Sequence, residues 1–237
     1  MQANAITCSL ERRNVAREES LTLPGKTHKN SRAKALRHLR SDSAMARAIE
    51  RIGPMKLEPR GLTTFQSLTQ AVVYQQLSGK AAATIFGRFV ALFEGAAFPE
   101  PEAVLRMPHA RLASAGLSRA KCNYILDIAG RTASGELPTL DQCGELTDAE
   151  LIERLTAVKG IGRWTAEMML IFNLGRPDVL PVHDLGIRKG FQVIYRKRKL
   201  PAPKALEKFG ERWAPYRTTA AWYLWRAADF LKKGEWD

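Results

Sequence analysis

From Ala44 onward, apolar residues recur at helical spacing, and no clear strand-like alternation of apolar and polar positions appears. The pattern predicts helices over Ser67 to Tyr74, Ala81 to Phe93, Ile125 to Ala133, Leu151 to Val158, Trp164 to Asn173, Leu185 to Tyr195 and Ala220 to Lys232. An all-α fold is expected. Residues 1–40 show no sustained hydrophobic period, and nine Lys and Arg stand there against three Glu. That stretch reads as a basic tail, disordered or loosely attached, or as an over-extended translation start. The helical domain is then expected over 41–237.

One helical pair carries more information than the rest. Thr147-Asp148-Ala149-Glu150 has the spacing of a capping box, so a helix begins there. Leu151, Ile152, Leu155 and Val158 continue it, and Lys159-Gly160-Ile161-Gly162 ends it. Trp164, Ala166, Met168, Met169, Leu170, Ile171 and Phe172 follow as an almost wholly apolar second helix. A lone G-x-G is most often a helix stop, with Gly in the left-handed conformation. Between two helices it also makes a tight hairpin whose backbone N–H groups can take a phosphate. Such a grip holds nucleic acid without reading its sequence. Downstream, a single acid, Asp184, stands between Pro181 and Gly186.

Composition narrows the partner. A chain of 237 residues makes one domain, or one globule of two lobes with a cleft. The net charge of +13 fits a polyanion, although a ribosome-associated or membrane-surface protein would share it. Five Trp and nine Phe in a basic chain favour base stacking beside phosphate contact, with most of the rings in the core. Cys8, Cys122 and Cys143 are widely spaced without C-x-x-C, which argues against a disulfide framework, zinc and an iron–sulfur cluster. No apolar run approaches a membrane span and no apolar signal core opens the chain, so an intracellular protein is expected, cytoplasmic and nucleoid-associated if bacterial.

The segments VKGIGRWTAEMML and VLPVHDLGIRKG resemble the helix-hairpin-helix superfamily of DNA glycosylases, with its Gly/Pro-rich loop and catalytic Asp. Within it, the chain is similar to DNA-3-methyladenine glycosylase II, an alkylation-repair enzyme. AVVYQQLSGKAAATI from Ala71, AGLSRAKCNYI from Ala115 and PYRTTAAWYLWRAADF from Pro215 occur in the family's order. The likeness runs from about Leu36 to the C-terminus. It implies two helical lobes with the active-site cleft between them, and removal of alkylated purines of the 3-methyladenine and 7-methylguanine type from duplex DNA by base flipping.

The resemblance also assigns residues. Asp184 matches the catalytic acid. Breaking an N-glycosidic bond builds positive charge on the sugar, which a carboxylate stabilises while it orients or deprotonates a water. Asp184 can equally be the N-cap of the helix from Leu185, and both roles can hold. Trp164 and Trp225 match aromatic pocket positions, with Trp222 an alternative to Trp225. Met168 stands where the best-studied branch tends to have Tyr. An aromatic face would attract a cationic methylated base. Gln76 or Leu77 would be the wedge that fills the gap left by the flipped nucleotide. Gly160 and Gly162, with Lys159, Arg163, Lys80 and Lys121, are candidate phosphate contacts, as are Arg119, Arg188 and Lys189. For each of the cations, a solvated surface charge is an equal reading. His183 is given no catalytic role. Relatives that also cut the strand carry a Schiff-base Lys directly after G-x-G-R, where this chain has Trp164. The implied enzyme therefore leaves an abasic site without nicking it. It is expected to act as a monomer and to need no side-chain metal site or iron–sulfur cluster. A monovalent cation held by hairpin backbone carbonyls is compatible with the family. A glycosylase for another lesion and a non-catalytic DNA-binding module are the alternatives.

Overall fold

The computed structural model describes residues 25–95 and 97–236, and every described element is helical. In chain order the helices are α1 (Gly25–Leu39), α2 (Ser43–Ile52), α3 (Thr64–Tyr74), α4 (Gly79–Val90), α5 (Pro101–Arg106), α6 (His109–Ser114), α7 (Arg119–Ala133), α8 (Leu140–Glu145), α9 (Asp148–Thr156), α10 (Arg163–Phe172), α11 (Leu185–Ile194), α12 (Pro203–Gly210) and α13 (Arg217–Lys232). A 3₁₀ turn, Glu211–Trp213, joins the last two. No helix among the described residues is long and apolar enough to cross a membrane.

All seven expected helices are present, with their ends set by caps that periodicity does not see. Ser78 Oγ accepts from the Ala81 N–H and starts α4 before the apolar pattern does. Ser118 does the same for α7, which begins six residues ahead of Ile125. The short helices α5, α6, α8 and α12 carry too few turns to show a period.

The chain forms two units. The first comprises described residues 59–174. In it α3 packs on α4, α7 and α10, α5 and α6 pack on α7, and α9 packs on α10. Phe65, Phe86, Phe89 and Phe98 meet as one aromatic cluster in its core.

The second unit joins residues 25–58 to 175–236. Its centre is the crossing of α11 on α13. Gly190 makes that crossing close, because a Cβ there would run into the Leu224 backbone carbonyl. The N-terminal part of this unit corrects the expected tail. Residues 25–40 are not a loose arm: α1 packs on α2 and α13, burying Ala35 and Leu39. Arg32 Nη2 on the same helix donates to the Leu57 carbonyl at 2.6 Å. A buried pair at i and i+4 is one repeat of a helical period, too little to stand out among so many charges. Residues 1–24 of the expected tail lie outside the described residues.

Candidate functional site

In the first unit the capping box at α9 is present in both directions: the Thr147 N–H donates to Glu150 Oε2 at 2.8 Å, and the Glu150 N–H to Thr147 Oγ1 at 3.3 Å. The chain then turns within five residues. The Ile161 N–H bonds the Val158 carbonyl at 3.1 Å, and both of these apolar side chains are buried. Gly160 sits at φ +83°, where a Cβ would stand 2.5 Å from Tyr124 Cδ2 of α7. Gly at this position is demanded twice, by backbone conformation and by the ring beneath it. The Lys159 N–H is fixed to Asp127 Oδ2 at 3.1 Å. Gly162 is the N-cap of α10, and no side chain caps that helix. Lys159, Gly160, Gly162 and Arg163 all lie on the surface of the turn. Arg163 also serves the core, its Nε meeting the buried Glu167 carboxylate at 3.0 Å.

The expected wedge segment is the turn between α3 and α4. Gln76 is exposed at φ +60°, a left-handed conformation uncommon for a residue with a side chain. Leu77 is half-buried. Such backbone outliers cluster where function over-determines the conformation. Lys121 holds this turn: its Nζ donates to the Val73 and Gln75 carbonyls, each at 2.8 Å. The last carbonyls of a helix have no intrahelical partner and attract a cation, and Lys121 is committed to those of α3. Burial lowers its pKa from the ordinary value. The Gln75 side chain in turn donates to the Gly160 carbonyl at 2.9 Å. The turn and the hairpin are thus one braced surface, joined across 85 residues of sequence. Lys80 and Arg119 lie exposed in the first turns of α4 and α7.

Between α3 and α10 the first unit forms an open-mouthed cavity lined by Tyr74, Trp164, Met168, Phe172, Arg60 and Gln70, among others. Trp164 and Met168 are brought together there, one turn apart on α10. Arg60 was not singled out from the sequence. It precedes α3, with its backbone N–H on the Phe172 carbonyl and its Nη1 on Gln70 Oε1 at 3.0 Å. Burial lowers its pKa, partly offset by Tyr74.

In the second unit, Asp184 is the N-cap of α11. Its Oδ1 accepts from the Ile187 N–H at 2.9 Å and from Trp225 Nε1 at 3.0 Å, and the residue is 3% exposed. Gly186 makes the second bond geometrically possible, since a Cβ there would stand 2.9 Å from Trp225 Cδ1 and 3.0 Å from Asp184 Oδ1. The segment leading to Asp184 is fastened to the start of α13. Asp178 takes a bidentate pair from Arg217, with Nε and Nη2 each at 2.8 Å, and the Val179 N–H bonds Thr218 Oγ1 at 3.0 Å.

Trp225 is buried beside the acid and donates to it. Trp222, the alternative, is also buried and packs against Tyr223. Arg188 spends its Nε on the Pro201 carbonyl, Lys189 is half-buried, and His183 is exposed.

The model of the HhH-GPD superfamily of base excision DNA repair proteins matches residues 69–215 of the chain. DNA-3-methyladenine glycosylase 1 of Schizosaccharomyces pombe is 44% identical over 171 residues, covering 71% of this chain and 75% of the relative. The solved structure of a 3-methyladenine DNA glycosylase from the same yeast, in complex with abasic DNA, aligns with TM-score 0.73 and 41% identity over 81% of this chain and 95% of that one. A DNA-3-methyladenine glycosidase from Bacillus halodurans aligns with TM-score 0.77 and 39% identity over 85% and 91%.

Proposed function

The chain belongs to the HhH-GPD superfamily of base excision DNA repair proteins, and from that premise we propose that it is a monofunctional glycosylase releasing alkylated purines from duplex DNA. It is a hydrolase of the DNA-3-methyladenine glycosylase II type, acting on the N-glycosidic bond. The observation that carries the mechanism is Asp184: a buried carboxylate whose Oδ1 is held by two N–H donors and whose orientation is thereby set.

The steps follow from the parts. The hairpin from Val158 to Gly162 takes a phosphate on its amides, as helix N-termini do. Gln76, the exposed member of the wedge pair, enters the stack as the damaged nucleotide leaves it. The flipped base rests against Trp164 and Met168. Asp184 stabilises the positive sugar while the base departs and water adds at C1′. With Trp164 after Gly160-Ile161-Gly162-Arg163, no Lys stands ready to form a Schiff base, so the product is an abasic site in an intact strand. One chain supplies both the carboxylate and the base contacts, and a monomer acting on DNA inside the cell is the proposed working form.

Incubation with methylated duplex DNA tests this. The expected result is release of free 3-methyladenine and 7-methylguanine, with strand cleavage only after alkali. Release of no methylated base, or a covalent protein–DNA adduct trapped by borohydride, would overturn the respective half of the proposal.

A further inference from the structure

The cavity between α3 and α10 is more than an aromatic slot. Tyr74, Trp164 and Phe172 can take the face of any purine. Arg60 is the charged side chain in its lining. Among the described residues, the acceptor its guanidinium meets is Gln70 Oε1, itself part of the wall, and no carboxylate pairs with it. A guanidinium has five N–H donors and keeps its charge even where burial lowers its pKa. Arg60 is half-buried, and the donors it does not spend on Gln70 are open to an occupant of the cavity that offers acceptors.

We infer that Arg60 is a specificity-determining residue, donating to the acceptor edge of a flipped neutral purine and favouring lesions whose base departs as an anion over those whose base departs neutral. The inference rests on reading this cavity as the base pocket. In either case the C1′–N bond breaks heterolytically and its electron pair leaves with the base. A base that was already a cation, such as 3-methyladenine, departs neutral. A neutral base, such as hypoxanthine, departs carrying negative charge spread over its ring nitrogens and O6. A fixed guanidinium stabilises the second leaving group and repels the first while it is still charged. The aromatic walls act in the opposite sense, attracting the cation. The range of lesions removed is then set by the balance between Arg60 and Trp164.

The test compares single-turnover excision of hypoxanthine from a defined duplex with release of 3-methyladenine from methylated DNA, for wild type, Arg60→Gln and Arg60→Lys. Thermal melting first establishes that the variants fold. Arg60→Gln should lose roughly tenfold or more on hypoxanthine, the range for a hydrogen bond to a charged group. Its release of 3-methyladenine should stay within about twofold or rise, since removing the fixed charge relieves repulsion. Arg60→Lys, which keeps the charge but loses the planar fork, should fall between. If Arg60→Gln does not fold, the hypoxanthine-to-3-methyladenine rate ratio of Arg60→Lys decides alone: lower than wild type supports the inference, unchanged overturns it. Equal losses on both substrates, with weaker binding to undamaged DNA, would mean that Arg60 holds a phosphate and would overturn it. A wild type that releases 3-methyladenine and no hypoxanthine would overturn the inference and leave the proposed function standing. A wild type that releases neither would sink both.

Discussion

Two helix starts, α10 and α11, use the same local geometry for opposite ends. Each begins on a residue in extended conformation, Gly162 at φ −91° and ψ 167° and Asp184 at φ −68° and ψ 126°. Each points its first-turn amides along the positive end of a helix dipole. At α10 the cap residue has no side chain, and a Cβ placed there would meet nothing within 4 Å. At α11 the cap is a carboxylate, 3% exposed, with Oδ1 engaged by Ile187 and Trp225. The first arrangement suits an anion brought from outside. The second has already received its anion from the chain itself and holds it still. In the proposed mechanism, binding and catalysis are thus separated by a single choice of cap residue.

The sharpest break in that comparison is Asp184→Asn. Asn caps a helix as well as Asp, so the melting temperature should change little. Excision should fall by about 10²–10³, the scale for removing an electrostatic group aimed at developing charge. Retained DNA binding in a mobility-shift assay would complete the picture. Near-normal release of 3-methyladenine by this variant would end the mechanism.

Trp225→Phe keeps most of the ring and removes its N–H. The single-turnover rate should drop by roughly tenfold, as for loss of a hydrogen bond to a charged group, with KM nearly unchanged. Gly186→Ala should reproduce the loss by pushing the indole aside, given the 2.9 Å its Cβ would leave to Trp225 Cδ1. An unchanged rate in both variants would show that the acid does not depend on this bond.

Gly160→Ala probes the other start. A left-handed residue with a Cβ costs about 1–2 kcal/mol, before any displacement of Tyr124. Denaturant unfolding should show that loss, together with weaker binding to undamaged DNA. Wild-type affinity in this variant would argue against the hairpin as a phosphate grip.

The smallest effect is the most diagnostic. Gly162→Asp gives α10 the kind of cap that α11 has. Stability should rise by about 0.3–1 kcal/mol from the charge at the helix start. DNA affinity should fall, and its salt dependence should flatten as a phosphate contact is lost. A variant that is more stable and binds as before would dissolve the contrast between the two starts.

Much of this was legible in the sequence, and the reasons are local. The capping box at Thr147, the glycine hairpin and Asp184 before a helix are signals of four or five residues, read without knowing the fold. The Trp after Gly160-Ile161-Gly162-Arg163 is equally local. The brace that Lys121 gives the turn after α3 is not legible locally, because a lysine near a DNA-binding motif looks the same in sequence whether or not it meets two backbone carbonyls. The resemblance matches Trp225 to a pocket position, and only the crossing of α11 on α13 shows its N–H on Asp184. Arg60 carried no signal, since a charged residue before a helix is ordinarily a solvated one.

The sequence by itself determined the seven periodic helices, the left-handed turn at Gly160 and the residues available for chemistry, because period, capping and backbone conformation act over a few residues. Tertiary structure decided which side chains meet. It set the Gln75 amide on the Gly160 carbonyl, 85 positions away, and the Trp225 indole on Asp184, 41 positions away. It also brought an arginine that no local pattern marks into the wall of a cavity. Contacts of that kind depend on how whole helices pack, and the closeness of packing at Gly186 and Gly190 is a property of two helices together that neither segment states alone.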